Sequence, residues 1–186
     1  MNRLNPSNPL KRMLLVLDLD ETLMHASRSK EAASDFQMWE YRVKIRPHLQ
    51  ALLETAFEHF DVGVWTSSSS DYAWIAVQHL FADPTKLKFI WARERCTYGW
   101  DEEVQEFVWA KRLYKVKRLG YCLERTLVID DSPEKFRTAY GNLIRVVPFY
   151  GAADDQELIR LRCYLLKIKD HPNVRKLEKR NWHQQV

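Results

Sequence analysis

The stretch that most constrains this chain is an apolar run ending abruptly in acid: Leu14-Leu15-Val16-Leu17 leads straight into Asp18-Leu19-Asp20-Glu21-Thr22-Leu23. Four consecutive aliphatic residues read as a strand buried on both faces, the habit of a parallel sheet wrapped by helices. In an extended chain residues i and i+2 point to the same side, so Asp18 and Asp20 share one pocket at the strand's carboxyl end. Open α/β sheets build their sites there. Two like charges held this close repel, and a hard divalent cation such as Mg²⁺ between carboxylate and phosphate relieves the repulsion. A carboxylate is also a competent nucleophile toward phosphorus.

The rest of the chain continues the strand-to-helix rhythm. Trp39, Tyr41, Val43 and Ile45 alternate with Glu40, Arg42 and Lys44, which predicts a half-exposed strand over 36–45, reached through a polar stretch from His25 to Asp35. Pro47 is placed for the first turn of a helix to about Phe60, with Leu49, Leu52, Leu53, Ala56 and Phe57 on one face. Asp61 to Thr66 reads as a second buried strand, and Ser67-Ser68-Ser69-Ser70-Asp71 offers capping side chains for a helix over Tyr72 to Phe81. Further strands fall in Leu87–Trp91, Leu119–Asp131 and Leu143–Pro148, with Ser132-Pro133 opening a helix between the last two. The expected fold class is α/β, a Rossmann-like parallel sheet with helices on both faces.

Cys96 to Lys111 breaks the rhythm with Gly99, Asp101-Glu102-Glu103 and Phe107-Val108-Trp109, and reads as an inserted β-hairpin. Pro172 is expected to start a basic amphipathic helix over 172–182. At 186 residues and 46% hydrophobic content, one domain over 1–186 is expected, with its core over 13–166 and the insertion at 96–110.

A net charge of +4 suits phosphorylated proteins or nucleic-acid ends and requires neither. Cys96, Cys122 and Cys163 are odd in number and lack metal-ligand spacing, so they are expected as free packing thiols in a reducing compartment. No segment approaches the roughly 18 apolar residues of a membrane span, and Met1 to Arg12 shows no signal-peptide core. The expectation is a soluble intracellular monomer with no membrane partner.

Three later positions carry matching chemistry. Thr66, after the second strand, can donate to a phosphate oxygen, and Lys111 can neutralise that phosphate as a point charge. Asp130-Asp131-Ser132-Pro133 closes another apolar strand, Leu127-Val128-Ile129, with a second acidic pair. Each has a local alternative: Thr66 as a helix cap, Lys111 as a surface cation, the acids as a turn before Pro133. Their order along the sheet favours chemistry, because stability alone does not require acids at the tips of two strands with Thr and Lys between.

On these residues the chain resembles the haloacid dehalogenase superfamily of aspartyl phosphotransferases. It is similar in particular to the NLI-interacting-factor-like branch, which includes the small phosphatases of the RNA polymerase II C-terminal domain. Asp18 to His25 is similar to the branch's first motif, and further matches follow in order at Arg46-Pro47, Trp65-Thr66-Ser67 with Tyr72, and Arg93-Glu94-Arg95-Cys96. Ala110-Lys111-Arg112-Leu113, Asp130-Asp131-Ser132-Pro133 and Pro148-Phe149-Tyr150-Gly151 with Asp155, Glu157 and Leu158 complete the set.

The resemblance implies a fold without a large cap, a small β insertion before the motif lysine, and Mg²⁺-dependent phosphomonoester hydrolysis. Asp18 is then the nucleophile, Asp20 the general acid and base, Thr66 and Lys111 the holders of the transferring oxygens, and Asp130 a residue orienting Lys111 or a metal-bound water. Mg²⁺ falls to the Asp18 side chain, the Asp20 backbone carbonyl and the Asp131 side chain. Thr66, Ser67, Tyr72 and Arg93 fall near the substrate, and the face of Trp39, Tyr41 and Val43 offers either a wall for a residue such as proline or ordinary core. Asp131 departs from the asparagine of many small phosphatases but keeps a metal-binding oxygen. Ser27 to Lys44 and Cys96 to Trp109 match poorly, in regions that contact the substrate peptide in the family. An open site favours a phosphorylated protein or peptide at phosphoserine or phosphothreonine. A phosphatase of nucleic-acid 3′ ends and a noncatalytic binding module are the alternatives. The expected location is the cytoplasm, or the nucleus in a eukaryotic cell.

Overall fold

The computed structural model describes residues 12–186. The reading of Met1 to Arg12 therefore lies outside the described residues, Arg12 apart. Strand β1 is Leu14–Leu17, every residue buried. Strands Met24–Ser27 (β2), Phe36–Met38 (β3) and Tyr41–Ile45 (β4) follow, then helix Leu49–His59 (α1), strand Asp61–Trp65 (β5) and helix Ser70–Leu80 (α2). Ile90–Trp91 (β6), Thr97–Asp101 (β7), Glu106–Ala110 (β8), Thr126–Asp130 (β9), Leu143–Arg145 (β10) and helix Glu157–Ile168 (α3) complete the regular elements. No helix among the described residues is long and apolar enough to cross a membrane.

The main sheet holds five parallel strands in the order β10-β9-β1-β5-β6. β1 takes the centre because it is apolar on both sides. Leu15 and Leu17 pack into the core shared with α1, α2 and α3, whereas Leu14 and Val16 face a second cluster. That second face is covered by 3-10 helical segments, Leu113–Leu119 and Pro133–Asn142, through Leu113, Val116, Phe136 and Ala139. Gly63 in β5 gives way to an aromatic ring: a Cβ there would lie 2.5 Å from Phe89 Cζ. The chain leaves β1 on one side for β5 and β6 and returns on the other for β9 and β10. The crevice beyond the β1 carboxyl end is thus a topological switch point.

The expected hairpin insertion forms as β7 and β8, Thr97 opposite Ala110 and Asp101 opposite Glu106. Arg137 anchors it to the body, reaching both oxygens of Asp101 at 2.6 and 2.9 Å.

Other expectations need correction. The stretch 36–45 is two strands, because Trp39 adopts a φ of +50° and turns the chain between β3 and β4. Residues opposite each other in a hairpin share a face, so the apolar row of Tyr41, Val43 and Ile45 continues on Met38 and Phe36, leaving Trp39 at the tip. β4 also pairs with β2 in a second, antiparallel sheet, so the polar stretch from His25 begins inside a strand. α1 begins at Leu49, after His48 in the left-handed region at φ +67°, so Pro47 precedes the first turn. Cys122 and Cys163 are exposed free thiols, and only Cys96 is partly buried.

Residues 172–182 do not form the expected helix. Short 3-10 turns at Val174–Lys176 and Trp182–Gln185 take its place. The buried Lys179 ammonium donates to the Val174 and Leu177 carbonyls at 2.5 and 3.0 Å, groups that an α-helix would have used for its own ladder. Trp182 is fully buried, its ring 5.6 Å from that of Tyr164.

Candidate active site

Sheet register sets Asp18 in place: its N–H donates to the Ile129 carbonyl of β9 at 3.0 Å. The chain then folds back at once. The Leu19 carbonyl accepts from Thr22, Leu23 and Met24, and Glu21 takes a left-handed φ of +55°. Asp18 is 2% exposed. Its Oδ1 lies 2.9 Å from Lys111 Nζ and its Oδ2 lies 3.4 Å from Lys135 Nζ. Lys111, which follows β8, is buried and also meets Asp130 Oδ2 at 2.5 Å, so it is no surface cation. Asp130, the last residue of β9, accepts the Ser132 N–H at 2.9 Å on its other oxygen.

Asp20 occupies a different setting. Ser68 Oγ–H donates to its Oδ2 at 2.8 Å, and the Tyr72 hydroxyl donates to its Oδ1. Burial acts to raise the Asp18 pKa, but the Lys111 and Lys135 charges outweigh it and hold the carboxyl below the ordinary aspartate range. For Asp20 burial wins: the Tyr72 hydrogen bond opposes it, and the Asp18 charge helps tip the acid upward. Burial and the Asp18 charge also push Asp130 up, against the pull of Lys111. Two neighbouring acids with pKa values driven apart can divide the tasks of nucleophile and proton donor.

Thr66 is buried just beyond β5, its N–H on the Trp91 carbonyl at 2.9 Å. Its Oγ1 accepts the Ser68 N–H at 3.0 Å, which leaves the hydroxyl proton for a substrate oxygen. The serine tract does not cap α2 as expected. Ser69 is the N-cap residue without a side-chain bond, while Ser68 and Ser70 give their hydroxyls to Asp20 and to Glu94 at 3.0 Å. Hydrogen bonds to carboxylates are the stronger ones and draw the hydroxyls away. The Ser67 carbonyl accepts from Arg93 Nε at 2.8 Å, and that guanidinium also lies 5.4 Å from the Trp109 ring centre. Arg93 therefore ties the loop after β5 to the hairpin. The Tyr72 ring stands 6.4 Å from Trp39 and 6.1 Å from Tyr41, so an aromatic wall, with Trp39 52% exposed, begins one ring away from Asp20.

Asp18, Asp130 and Asp131 bring carboxylate oxygens within 4.8 Å of one another. Asp18 Oδ1 is buried and lacks a hydrogen bond of good geometry despite the nearby ammonium. A donor set of three converging carboxylates, oxygen throughout, fits a hard divalent cation. The Asp20 carboxylate is turned to Ser68 and Tyr72 and is not among the converging oxygens. Ser68 and Lys135 are site residues that sequence reasoning missed. Ser68 was hidden in an apparent capping tract, and the one signal for Lys135 was its place in the first turn after a strand-tip acid pair and Pro133.

Residues 13–175 match the family described as NLI interacting factor-like phosphatase. A CTD phosphatase-like protein of Invertebrate iridescent virus 3 is 37% identical over 193 residues, covering 86% of this chain and 98% of its own length. The CTD small phosphatase-like protein 2 of Dictyostelium discoideum is 30% identical over 172 residues, covering 88% of this chain, which spans only 29% of that relative. Among solved structures, that of Fcp1, an essential RNA polymerase II CTD phosphatase, shares the fold with a TM-score of 0.55 at 18% identity, over 92% of this chain and 56% of that one. Family match and fold together define a chain of the phosphatase class with the fold of Fcp1. More narrowly, the chain belongs to the NLI interacting factor-like phosphatase family.

Proposed function

We propose that this phosphatase hydrolyses phosphoserine or phosphothreonine in proteins, with Mg²⁺, through an aspartyl-phosphate on Asp18. The observation that carries the reading is the division of one strand tip into two environments, Asp18 between two lysines and Asp20 between two hydroxyls. A carboxylate oxygen of Asp18 attacks phosphorus in line, and the bond from phosphorus to the ester oxygen breaks. The departing oxygen takes the electron pair and the Asp20 proton, leaving as an alcohol. A water then attacks the same phosphorus and gives its proton to Asp20, and the bond to Asp18 breaks to release phosphate. Ser68 and Tyr72 hold Asp20 in position for both transfers.

Lys111, fixed by Asp130, and the Thr66 hydroxyl neutralise and hold the transferring oxygens, a preorganised electrostatic role. Mg²⁺ would be held by the Asp18 side chain, the Asp20 backbone carbonyl and the Asp131 side chain. When bound it supplies the positive charge that lets a phosphate dianion approach these acids. The wall of Trp39, Tyr41 and Tyr72 suits a residue such as proline flanking the phosphosite, and the viral and Dictyostelium relatives are named as CTD phosphatase-like proteins. Retention of Asp18, Asp20 and Lys111 speaks against a noncatalytic module.

The test is a panel of phosphopeptides, 3′-phosphorylated oligonucleotides and p-nitrophenyl phosphate under identical Mg²⁺. Peptides should exceed oligonucleotides at least tenfold in kcat/KM, about 1.4 kcal/mol of differential transition-state stabilisation. Better turnover of the oligonucleotides overturns the protein substrate, and turnover that persists in EDTA overturns the metal.

A further inference from the structure

The second lysine of the site takes no part in these steps. Lys135 has its backbone fixed on both sides, its N–H on the Ser132 carbonyl at 3.2 Å and its carbonyl accepting the Lys111 N–H at 2.8 Å. Its ammonium stands 3.4 Å from Asp18 Oδ2 and 3.8 Å from Asp130 Oδ1, with Asp131 as a third attracting charge. These are the same three side chains whose oxygens converge as candidate metal ligands.

The two lysines share the carboxylates oxygen by oxygen. Lys111 takes Asp18 Oδ1 and Asp130 Oδ2 at 2.9 and 2.5 Å and is closed off from solvent. Lys135 faces the opposite oxygen of each acid at longer range, and its side chain is 18% exposed. Lys111 is therefore locked, whereas Lys135 has a flexible stem and a way out.

We propose that Lys135 is a displaceable counter-ion, whose ammonium holds the divalent cation's place in the metal-free enzyme and leaves it for the phosphate when metal binds. The inference rests on the Mg²⁺ reading above. Three converging carboxylates repel one another, and a resident ammonium keeps them in a metal-ready arrangement. An ammonium and a divalent cation cannot share that space, because their mutual repulsion exceeds what either gains from acids the other already neutralises. The exchange weakens Mg²⁺ binding to the free enzyme. A phosphate oxyanion gives the displaced ammonium a new partner, so metal and anion bind with positive coupling.

Titration calorimetry with Mg²⁺ alone, and with Mg²⁺ in the presence of inorganic phosphate, tests this on the wild type, Lys135→Met, Lys135→Gln and Lys135→Arg. Lys135→Met and Lys135→Gln should bind Mg²⁺ about tenfold more tightly in the absence of phosphate, about 1.4 kcal/mol. Phosphate should tighten Mg²⁺ binding by a larger factor in the wild type and in Lys135→Arg than in the two neutral variants, where only the metal's own attraction for the anion remains. In EDTA the neutral variants should melt below the wild type, and Mg²⁺ should raise their Tm by more. A neutral variant that folds only with Mg²⁺ present also counts for the exchange. Equal or weaker Mg²⁺ binding by the neutral variants, beside measurable binding by the wild type, overturns the exchange alone. Binding by none of the four proteins overturns the exchange together with the metal reading beneath it.

Discussion

Arg46 and Lys111 are both buried cations bonded to aspartates, and they differ in what remains unsatisfied around them. Arg46, following β4, forks onto both oxygens of Asp155 at 2.9 Å and directs its other donors to the Thr22 and Val147 carbonyls at 3.1 and 2.8 Å. Asp155 also accepts the Glu157 N–H at 3.0 Å, so charge and hydrogen bonding close on themselves. The cluster clamps the turn after β1 to the segment entering α3. At the strand tips Asp18, Asp130 and Asp131 face Lys111 and Lys135, and Asp18 Oδ1 remains without a well-formed hydrogen bond. A complete network makes a clamp, whereas a network with acid in excess is ready to take up a cation and a phosphate.

The two clusters should respond differently to the loss of a charged member. Asp18→Asn should lower p-nitrophenyl phosphate turnover at least about a thousandfold, roughly 4 kcal/mol, while the circular-dichroism melt stays close to the wild type. Substantial remaining activity would remove Asp18 from the nucleophile's role. Arg46→Met should act the other way, costing about 3 kcal/mol in urea unfolding because Asp155 is left partly buried without its partner. Turnover per folded molecule should change little, and a variant that is stable but inactive would contradict the clamp.

Trp39 lies outside both networks and sharpens the contrast by testing recognition alone. Trp39→Ala should reduce phosphopeptide kcat/KM about tenfold, near 1.4 kcal/mol, and spare p-nitrophenyl phosphate. Equal losses on the two substrates would place Trp39 in the chemistry instead.

The smallest expected effect concerns acid. Burial opposes ionisation of Asp155, but the Arg46 hydrogen bond wins and holds the carboxyl below its usual range. An acid depressed in this way contributes stability that is present above its unfolded pKa of about 4 and lost as pH falls through the folded value. Urea midpoints of the wild type should therefore drop between pH 5 and pH 3, about the span below which that acid protonates in both states. The drop should be smaller in Asp155→Asn, and an equal drop in both proteins would assign the acid sensitivity elsewhere.

What the sequence disclosed was local. Asp18, Thr66 and Asp130 could be found because each ends an apolar run, and a strand's direction fixes where its tip points. The hairpin of β7 and β8 could be found because its composition interrupts the rhythm. Lys111 by itself was indistinguishable from a surface cation, since its burial depends on Asp18, which is brought close only by folding. Trp39 was misplaced because alternation by twos says nothing about a tight turn within the pattern. The helix expected over 172–182 failed for a similar reason: the indole of Trp182 and the ammonium of Lys179 reach backbone carbonyls that a helical pattern cannot reveal.

β10 lies at the edge of the main sheet, and the Val146 N–H just beyond it turns inward to the Asp130 carbonyl at 3.2 Å, so the Arg145 carbonyl points away from its neighbour. Bare edge groups of this kind are templates on which a strand from another molecule can add. The Trp182 indole N–H takes that carbonyl at 2.7 Å, with the ring buried beside it. A short turn far along the chain thus covers part of one of the sheet's two edges against the addition of a foreign strand.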